Sequence, residues 1–278
     1  MQLLDEVRST CREIAAGARF VSIDLGAARE PPLVDGSEAP AGGADFLLQL
    51  DAINFGSGWF PTLRKRPGLS GYRTVEAAFA ERGPWTNAEL RELDAAAVSG
   101  ALGQDPAHPL MGLYAEALRD LGRFLGDRSA PDLVEAARGS AERLATLLAR
   151  GMRFFDDRGF YKRAQIVPSD LALAGAAGFD DLDRLTIFAD NLVPHVLRLD
   201  GALELDPGLA AAIEAGTLVP EGSEAEVELR ACAVDAVERL VERLPGATAA
   251  RLDTVLWNRG AGERYKAMPR HRTRTVSY

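Results

Sequence analysis

Residues 223–257 read SEAEVELRACAVDAVERLVERLPGATAARLDTVLW, and this stretch indicates the class of the fold. Ser223 is followed three residues later by Glu226, a capping-box pattern that predicts the start of a helix. Leu244-Pro245-Gly246 ends that helix, because proline and glycine interrupt helical structure, and residues 249–258 begin another. The first helix should bury the apolar residues that recur at helical spacing: Val227, Ala231, Val234, Val237, Val241 and Leu244. Two consecutive helices of this kind predict a mainly α fold.

Helical periodicity recurs along the rest of the chain. Helices are predicted at residues 2–18, 74–81, 87–99, 109–125 and 131–157, the last being the longest, and another begins at residue 181. Extended segments are few and are predicted at residues 21–23, 161–167 and 275–277. Residues 28–44 are rich in proline and glycine and predict an internal loop. The predicted fold is therefore mainly α with a small β component.

Length and composition favour one domain. The chain has 278 residues, of which 47% are hydrophobic, and this is enough for a sizeable core. Neither an internal repeat nor a low-complexity segment divides it. We therefore predict a single domain, residues 1–278, in which an N-terminal segment of residues 1–60 packs onto a helical body of residues 61–278.

The charge balance restricts the possible partners. The formal net charge is -9, which argues against binding a nucleic-acid polymer, since such proteins need a basic face. A single nucleotide remains possible, because one local basic cluster can hold it. Cys11 and Cys232 form no CxxC pair and are predicted to be reduced core residues. Without a signal peptide or an apolar run of about 18 residues, the chain is expected to be cytoplasmic and not to bind a membrane.

A carboxylate lies within an apolar segment, Leu185-Thr186-Ile187-Phe188-Ala189-Asp190-Asn191-Leu192-Val193-Pro194. Helical spacing places Asp190 at the edge of the apolar stripe. Pro194 has no N–H to bond the carbonyl of Asp190, so the helix is expected to kink there. An acid at a helix break that faces the core suits catalysis. From spacing alone, a surface aspartate on a kinked helix is the better explanation.

A second segment, Phe160-Tyr161-Lys162-Arg163-Ala164-Gln165-Ile166, places cations beside aromatic residues. Lys162 and Arg163 can extend from a short strand to solvent. They can equally stack on a ligand ring or hold a phosphate, with Tyr161 beside them. The residues alone leave these interpretations open.

The turn at residues 54–60 carries aromatic residues on both sides of two glycines. Phe55 and Trp59 are each explained by core packing, but their clustering on a glycine-rich turn is typical of the walls of a site for a flat heterocycle. Asp51 and Asn54 can then bind the edge of a base.

Two further groups come late in the chain. Asp253 and Trp257 are four residues apart on one helix face, where a carboxylate beside an indole can bind a stacked guanine-like ring; a surface pair is the alternative. The tail carries Arg272 and Arg274 in alternation with Thr and Val, as in a docked edge strand; a solvated tail is the alternative.

Motifs for other chemistries are absent from the sequence. The three histidines show no metal-binding spacing with each other or with the cysteines. There is no GxGxxG, P-loop or GxSxG motif. We therefore expect neither a metal ion nor a cofactor.

These segments together resemble the queuosine salvage proteins, which act as queuosine 5′-phosphate N-glycosylases. The resemblance runs from about residue 45 to the end and rests on residues 160–166, 185–194, Leu50-Asp51-Ala52-Ile53-Asn54-Phe55 and His271-Arg272-Thr273-Arg274-Thr275. It implies a fold similar to helix-hairpin-helix DNA glycosylases, with the hairpin at residues 244–250. It also implies an enzyme that hydrolyses queuosine 5′-monophosphate to queuine and ribose 5-phosphate.

The resemblance assigns roles to individual residues. It implies that Asp190 is the catalytic carboxylate and that Lys162 points into the site, to orient Asp190 or contact the sugar phosphate. A Schiff-base role for Lys162 is the alternative. The substrate-binding residues are then expected to be Asp51, Asn54, Phe55, Trp59, Tyr161, Arg163, Phe188, Asp253, Trp257, Arg272 and Arg274. Two other functions stay open: a DNA glycosylase or lyase that flips a base into such a pocket, and a non-enzymatic helical scaffold.

Overall fold

The computed structural model describes residues 2–26, residue 28 and residues 40–278. Most of the loop predicted at residues 28–44 lies outside these described residues. The N-terminal half contains α1 (Leu3–Gly17), β1 (Val21–Ile23), α2 (Ala44–Ala52), a 3-10 turn (Phe60–Thr62), α3 (Gly71–Arg82), α4 (Asn87–Glu92), α5 (Ala95–Leu102), α6 (Pro109–Leu125) and α7 (Ala130–Ala136).

The second half continues in the same helical style. It contains α8 (Ala141–Gly151), a 3-10 turn (Arg153–Phe155), α9 (Lys162–Leu173), a 3-10 turn (Leu182–Arg184), α10 (Val193–Leu199), β2 (Leu203–Leu205), α11 (Pro207–Glu214), α12 (Glu224–Arg243), α13 (Ala249–Gly260) and α14 (Glu263–Lys266). The prediction of a mainly α fold with a small β component is confirmed.

The N-terminal helix α1 packs along α12. Its buried residues Leu4, Val7 and Cys11 follow the helical spacing that predicted it. Strand β1 pairs antiparallel with β2, with Val21 opposite Leu205. The sequence did not reveal β2, because a strand of three residues is too short to establish an alternating pattern. These contacts join residues 1–60 to the helical body, and the single-domain organisation stays our interpretation.

The strand predicted at residues 161–167 is wrong, because this segment is the start of α9. Tyr161 precedes the helix in the left-handed conformation, with φ 50°, and Lys162 is its first residue. A short apolar run has no period that separates a strand from a buried helix, and α9 is buried through most of its length.

The prediction of one long helix at residues 131–157 is also wrong, because the first helix, α7, ends at Ala136 and a second helix, α8, begins at Ala141. Arg138 and Gly139 both have positive φ, at 52° and 74°, and Ser140 caps α8. The helix predicted at residues 87–99 is likewise split, because Asp94 caps the start of α5. Among the described helices the longest is α12, with 20 residues.

The C-terminal tail is ordered, but the strand predicted at residues 275–277 does not form. Thr273 and Thr275 are buried, with 0% and 1% of their surface exposed. The backbone bonds are single and go to two loops: Gly56 N–H donates to the Tyr278 carbonyl at 2.8 Å, and Val219 N–H donates to the Arg272 carbonyl at 2.9 Å. Such isolated bonds anchor a tail without making a ladder.

Cys11 and Cys232 are both buried, and in the described part of the chain neither takes part in a disulfide. The helices among the described residues include none that is both long and apolar enough to cross a bilayer. α12 and α13 are joined through Leu244-Pro245-Gly246, as predicted.

Candidate active site

Lys162 occupies the first position of α9 with only 5% of its surface exposed. Its Nζ donates to the carbonyl of Asn54 at 3.3 Å, which ties α9 to the turn after α2. Burial lowers the pKa of Lys162, whereas the carboxylates of Asp190, Asp253 and Asp51 raise it. The ammonium is therefore held within a group of acids from three other parts of the chain.

Asp190 does not lie on a kinked helix, so that prediction is wrong. Residues 185–192 are irregular, and Pro194 lies in the first turn of α10, where the missing N–H has no helical partner to lose. Oδ1 of Asp190 accepts hydrogen bonds from the N–H groups of Leu192 at 2.7 Å and Val193 at 3.1 Å. These two bonds orient the carboxylate.

Asp253 lies on α13 with 5% of its surface exposed. Its Oδ1 accepts the N–H of Phe188 at 2.8 Å, and this bond joins α13 to the segment that carries Asp190. Burial raises the pKa of Asp253 to about 7, and the Asp190 carboxylate adds to the rise. Near neutral pH, Asp253 can therefore either donate or accept a proton.

Asp51, at the end of α2, is 1% exposed. Within the described residues neither of its carboxylate oxygens has a hydrogen-bond partner. Burial raises its pKa well above the ordinary range and Asp170 adds to this, while Lys162 and the nearby Asn54 side chain lower it without offering a bond of normal geometry. A buried acid left without a partner suits a ligand group that completes its hydrogen bonding.

Asp170 is a site residue that the sequence did not reveal. It follows Lys162 on α9, and burial raises its pKa while Lys162 lowers it. The sequence analysis predicted a strand at residues 161–167 and therefore did not place Asp170 on the same helix as Lys162. Tyr72 lies near the same acids. Burial is the main cause that raises its pKa, and the carboxylates of Glu76, Asp51 and Asp170 raise it further.

Arg270 is a further candidate that the sequence analysis did not select. The residue as a whole is exposed, but desolvation of its guanidinium lowers its pKa, and the Asp190 carboxylate raises it. Its place in a basic tail was the available signal, but spacing did not distinguish it from the other tail arginines.

Trp257 is half-buried on α13 and contacts α3. Its ring meets Tyr72 edge-on, with centroids 6.5 Å apart, and the Arg73 guanidinium lies 5.2 Å from its centroid. Trp257 therefore packs α13, which carries Asp253, against α3, which carries Tyr72.

The aromatic turn divides into a buried and an open part. Phe55 is 1% exposed and packs against Tyr114, with ring centroids 5.0 Å apart, and against Phe154. It is a core residue, so its contacts do not support the ligand wall predicted for it. Trp59 is half-buried and lines a surface cleft of about 420 Å³ with His108 and the exposed Arg274.

Arg163 holds the core and the tail together. It is 1% exposed, and its guanidinium donates to the carbonyls of Ala52 at 2.8 Å, Val276 at 2.6 Å and Phe154. These bonds occupy both terminal nitrogens of the guanidinium, which favours a structural role over the phosphate-binding alternative. Arg272 donates to the Gly216 carbonyl at 2.8 Å and secures the tail in the same way.

The structure thus brings Lys162, Asp51, Asp190 and Asp253 into one electrostatically linked group, together with Asp170. Tyr161, directly before α9, and Phe188, whose N–H bonds to Asp253, are both nearly buried, with 9% and 8% of their surface exposed. Among the described side chains, no group of three or more His, Cys, Asp or Glu is arranged to hold a metal ion. The roles of the individual residues stay predictions.

Comparison with known proteins agrees with the resemblance seen in the sequence. The family model of the queuosine salvage protein matches residues 36–278. This chain belongs to that family. A relative from Sphaerobacter thermophilus, named queuosine 5′-phosphate N-glycosylase/hydrolase, is 35% identical over 277 residues, covering 90% of this chain and 85% of the relative.

Relatives with the same name occur in eukaryotes. The protein of Dictyostelium discoideum is 34% identical over 180 residues, covering 58% of this chain and 56% of its own length. That of Mus musculus is 31% identical over 198 residues, covering 61% of this chain and 59% of its own length. This member of the queuosine salvage family is therefore similar to N-glycosylases from distant organisms.

Proposed function

We infer that this protein hydrolyses the N-glycosidic bond of queuosine 5′-phosphate and releases queuine and ribose 5-phosphate. Membership of the queuosine salvage family and the names of its relatives support this. The structural observation that carries it is the group of buried acids around Lys162, with the oriented carboxylate of Asp190 beside them.

The reaction needs a negative charge near the anomeric carbon, because cleavage of an N-ribosidic bond passes through an oxocarbenium-like state. Asp190 is suited to this, since two backbone N–H groups hold its Oδ1 and the carboxylate need not reorganise during the reaction. Asp190 also takes a proton from the attacking water, whose oxygen bonds to the anomeric carbon as the bond to the base breaks.

The departing base must gain a proton, and a 7-deazaguanine has no N7 at which to receive it. Asp253 and Asp51 are the candidates for hydrogen bonds to the base elsewhere, because burial raises the pKa of both and keeps a proton available. Asn54 and Trp257 adjoin these acids and are proposed to help position the ring.

Lys162 is proposed to orient Asp190, since the carboxylate stabilises its buried ammonium. The same ammonium also donates to the Asn54 carbonyl. The lowered pKa also suits an amine that forms a Schiff base with the sugar, which borohydride trapping would detect as a covalent adduct. Hydrolysis needs no such adduct, so we expect none.

Release of free base from a panel of substrates tests the function. The panel contains queuosine 5′-phosphate, queuosine, guanosine 5′-phosphate and duplex DNA, with queuine or guanine measured by mass spectrometry. We expect queuine from the phosphorylated nucleotide and no base from the DNA, which matches the acidic charge balance. Folded protein that releases no queuine from queuosine 5′-phosphate would contradict the proposal. We further propose a cytoplasmic location and no nucleic-acid polymer or membrane as partner.

A further inference from the structure

A buried ion pair lies beside the acid group without belonging to it. Arg230 of α12 pairs with Asp157, in the loop before α9, with Nη2 and Oδ2 2.5 Å apart. Nη1 also donates to Oδ1 at 3.0 Å, so the contact is bidentate. The two side chains are only 4% and 7% exposed. Glu226, one turn earlier on α12, has a carboxylate oxygen 3.8 Å from Nη1.

Both partners also contact the backbone next to the proposed catalytic groups. Nε of Arg230 donates to the carbonyl of Ala189, the residue before Asp190, at 2.9 Å. Oδ2 of Asp157 accepts the N–H of Lys162 at 3.3 Å. A continuous path of hydrogen bonds therefore runs from Ala189 through Arg230 and Asp157 to Lys162.

Aromatic rings enclose this path. The Arg230 guanidinium lies 3.9 Å from the ring centroid of Phe160 and 4.6 Å from that of Tyr278. The rings exclude water and restrict the guanidinium to one orientation. Stability alone does not explain the arrangement, because well-packed apolar residues often replace a buried ion pair without loss.

We propose that Arg230 and Asp157 are positioning residues that set the distance between the Asp190 carboxylate and the Lys162 ammonium. The inference rests on the proposed function, since it assigns both groups to one reaction. Neither Arg230 nor Asp157 needs to touch the substrate. They act through the backbone at Ala189 and Lys162, and a small displacement of reacting groups can lower a rate about 10² fold.

Arg230→Lys tests the proposal directly. Lysine keeps the positive charge next to Asp157 but cannot donate to Asp157 and to the Ala189 carbonyl through one rigid fork. With queuosine 5′-phosphate we expect kcat to fall about 10-fold to 100-fold while KM stays within about 3-fold. The fraction folded at the assay temperature, measured by thermal melting, should stay near that of the wild type.

A second variant guards against misfolding of the first. Arg230→Gln combined with Asp157→Asn removes both charges together, so no buried charge is left unpaired. We expect the same loss in kcat in this double variant, with KM again little changed.

A matched control uses Arg8→Gln combined with Glu238→Gln. Arg8 of α1 and Glu238 of α12 form a partly buried pair with Nε and Oε2 2.9 Å apart, and both lie outside the proposed site. The control should keep wild-type kcat.

Three results overturn the proposal: an unchanged kcat in both Arg230 variants, a loss of kcat that only follows the loss of folded protein, or a rise in KM with kcat unchanged. Failure of the wild type to release queuine would instead overturn the proposed function. The two failures are thereby distinguished.

Discussion

Replacing Asp253 by Asn should make the free energy of unfolding, relative to that of the wild type, larger at pH 8 than at pH 5. Asn is nearly isosteric and keeps an oxygen that accepts the N–H of Phe188. It removes only the ionisation. Burial raises the pKa of Asp253 from its ordinary value of 3.8 to about 7. The folded protein therefore holds this proton more tightly than the unfolded chain does.

The sign of the effect follows from proton linkage. The raised pKa contributes stability that is fully present below pH 3.8 and is lost as the pH rises through about 7. Each pKa unit corresponds to about 1.36 kcal/mol, so the shift of about 3 units gives about 4 kcal/mol over the full range. Between pH 5 and pH 8 the same relation gives about 2 to 3 kcal/mol.

Urea unfolding of both proteins at pH 5, 6, 7 and 8 measures this quantity. The free energy of unfolding of Asp253→Asn, relative to the wild type, should increase by about 2 to 3 kcal/mol across the series. Asp51 and Asp170 are present in both proteins, so their ionisation largely cancels in the difference. A difference that stays constant within about 0.5 kcal/mol would refute the argument that burial holds the Asp253 proton.

Four further outcomes are expected. Asp190→Asn should keep nucleotide binding, since its Oδ1 can still accept both N–H groups, while kcat falls on the order of 10²-fold or more; a variant retaining over about a tenth of wild-type kcat would remove Asp190 from the mechanism. Activity should survive EDTA, and loss of activity that a divalent ion restores would show a metal requirement. The 5′-phosphate should be preferred over the nucleoside at least about 10-fold in kcat/KM, and Arg270→Met or Arg274→Met should reduce this preference, whereas equal values for both substrates would show that no phosphate site exists. Gly58→Ala should lower the melting temperature, because a Cβ there would overlap the Thr273 carbonyl oxygen, and an unchanged melting temperature would show that the tail moves aside at no cost.

Local sequence signals were sufficient to predict those helices whose own residues determine where they begin or end. The periodicity of α1 and α6 and the Pro-Gly stop after α12 each predict an element that the structure contains. These signals depend on neighbours three or four residues apart, which every short segment carries within itself. The resemblance to the queuosine salvage family likewise came from short segments.

Other features depend on contacts between distant residues. Whether residues 161–167 form a strand or a helix is decided by the buried position of α9, because an apolar run suits either. Pro194 lies in the first turn of α10, because residues 185–192 before it pack in an irregular conformation, where Asp253 accepts the N–H of Phe188.

The chemistry of the site has the same origin. The sequence supplies ordinary aspartates and a lysine, and burial in the folded protein is the largest cause that raises the pKa of Asp253 and lowers that of Lys162. The sequence by itself therefore determined the charge, the residue types and the helices α1, α3, α6, α12 and α13. Folding buries these groups together. Only for that reason do the acids keep a raised pKa, and only for that reason does a path of hydrogen bonds link Arg230 to both proposed catalytic groups.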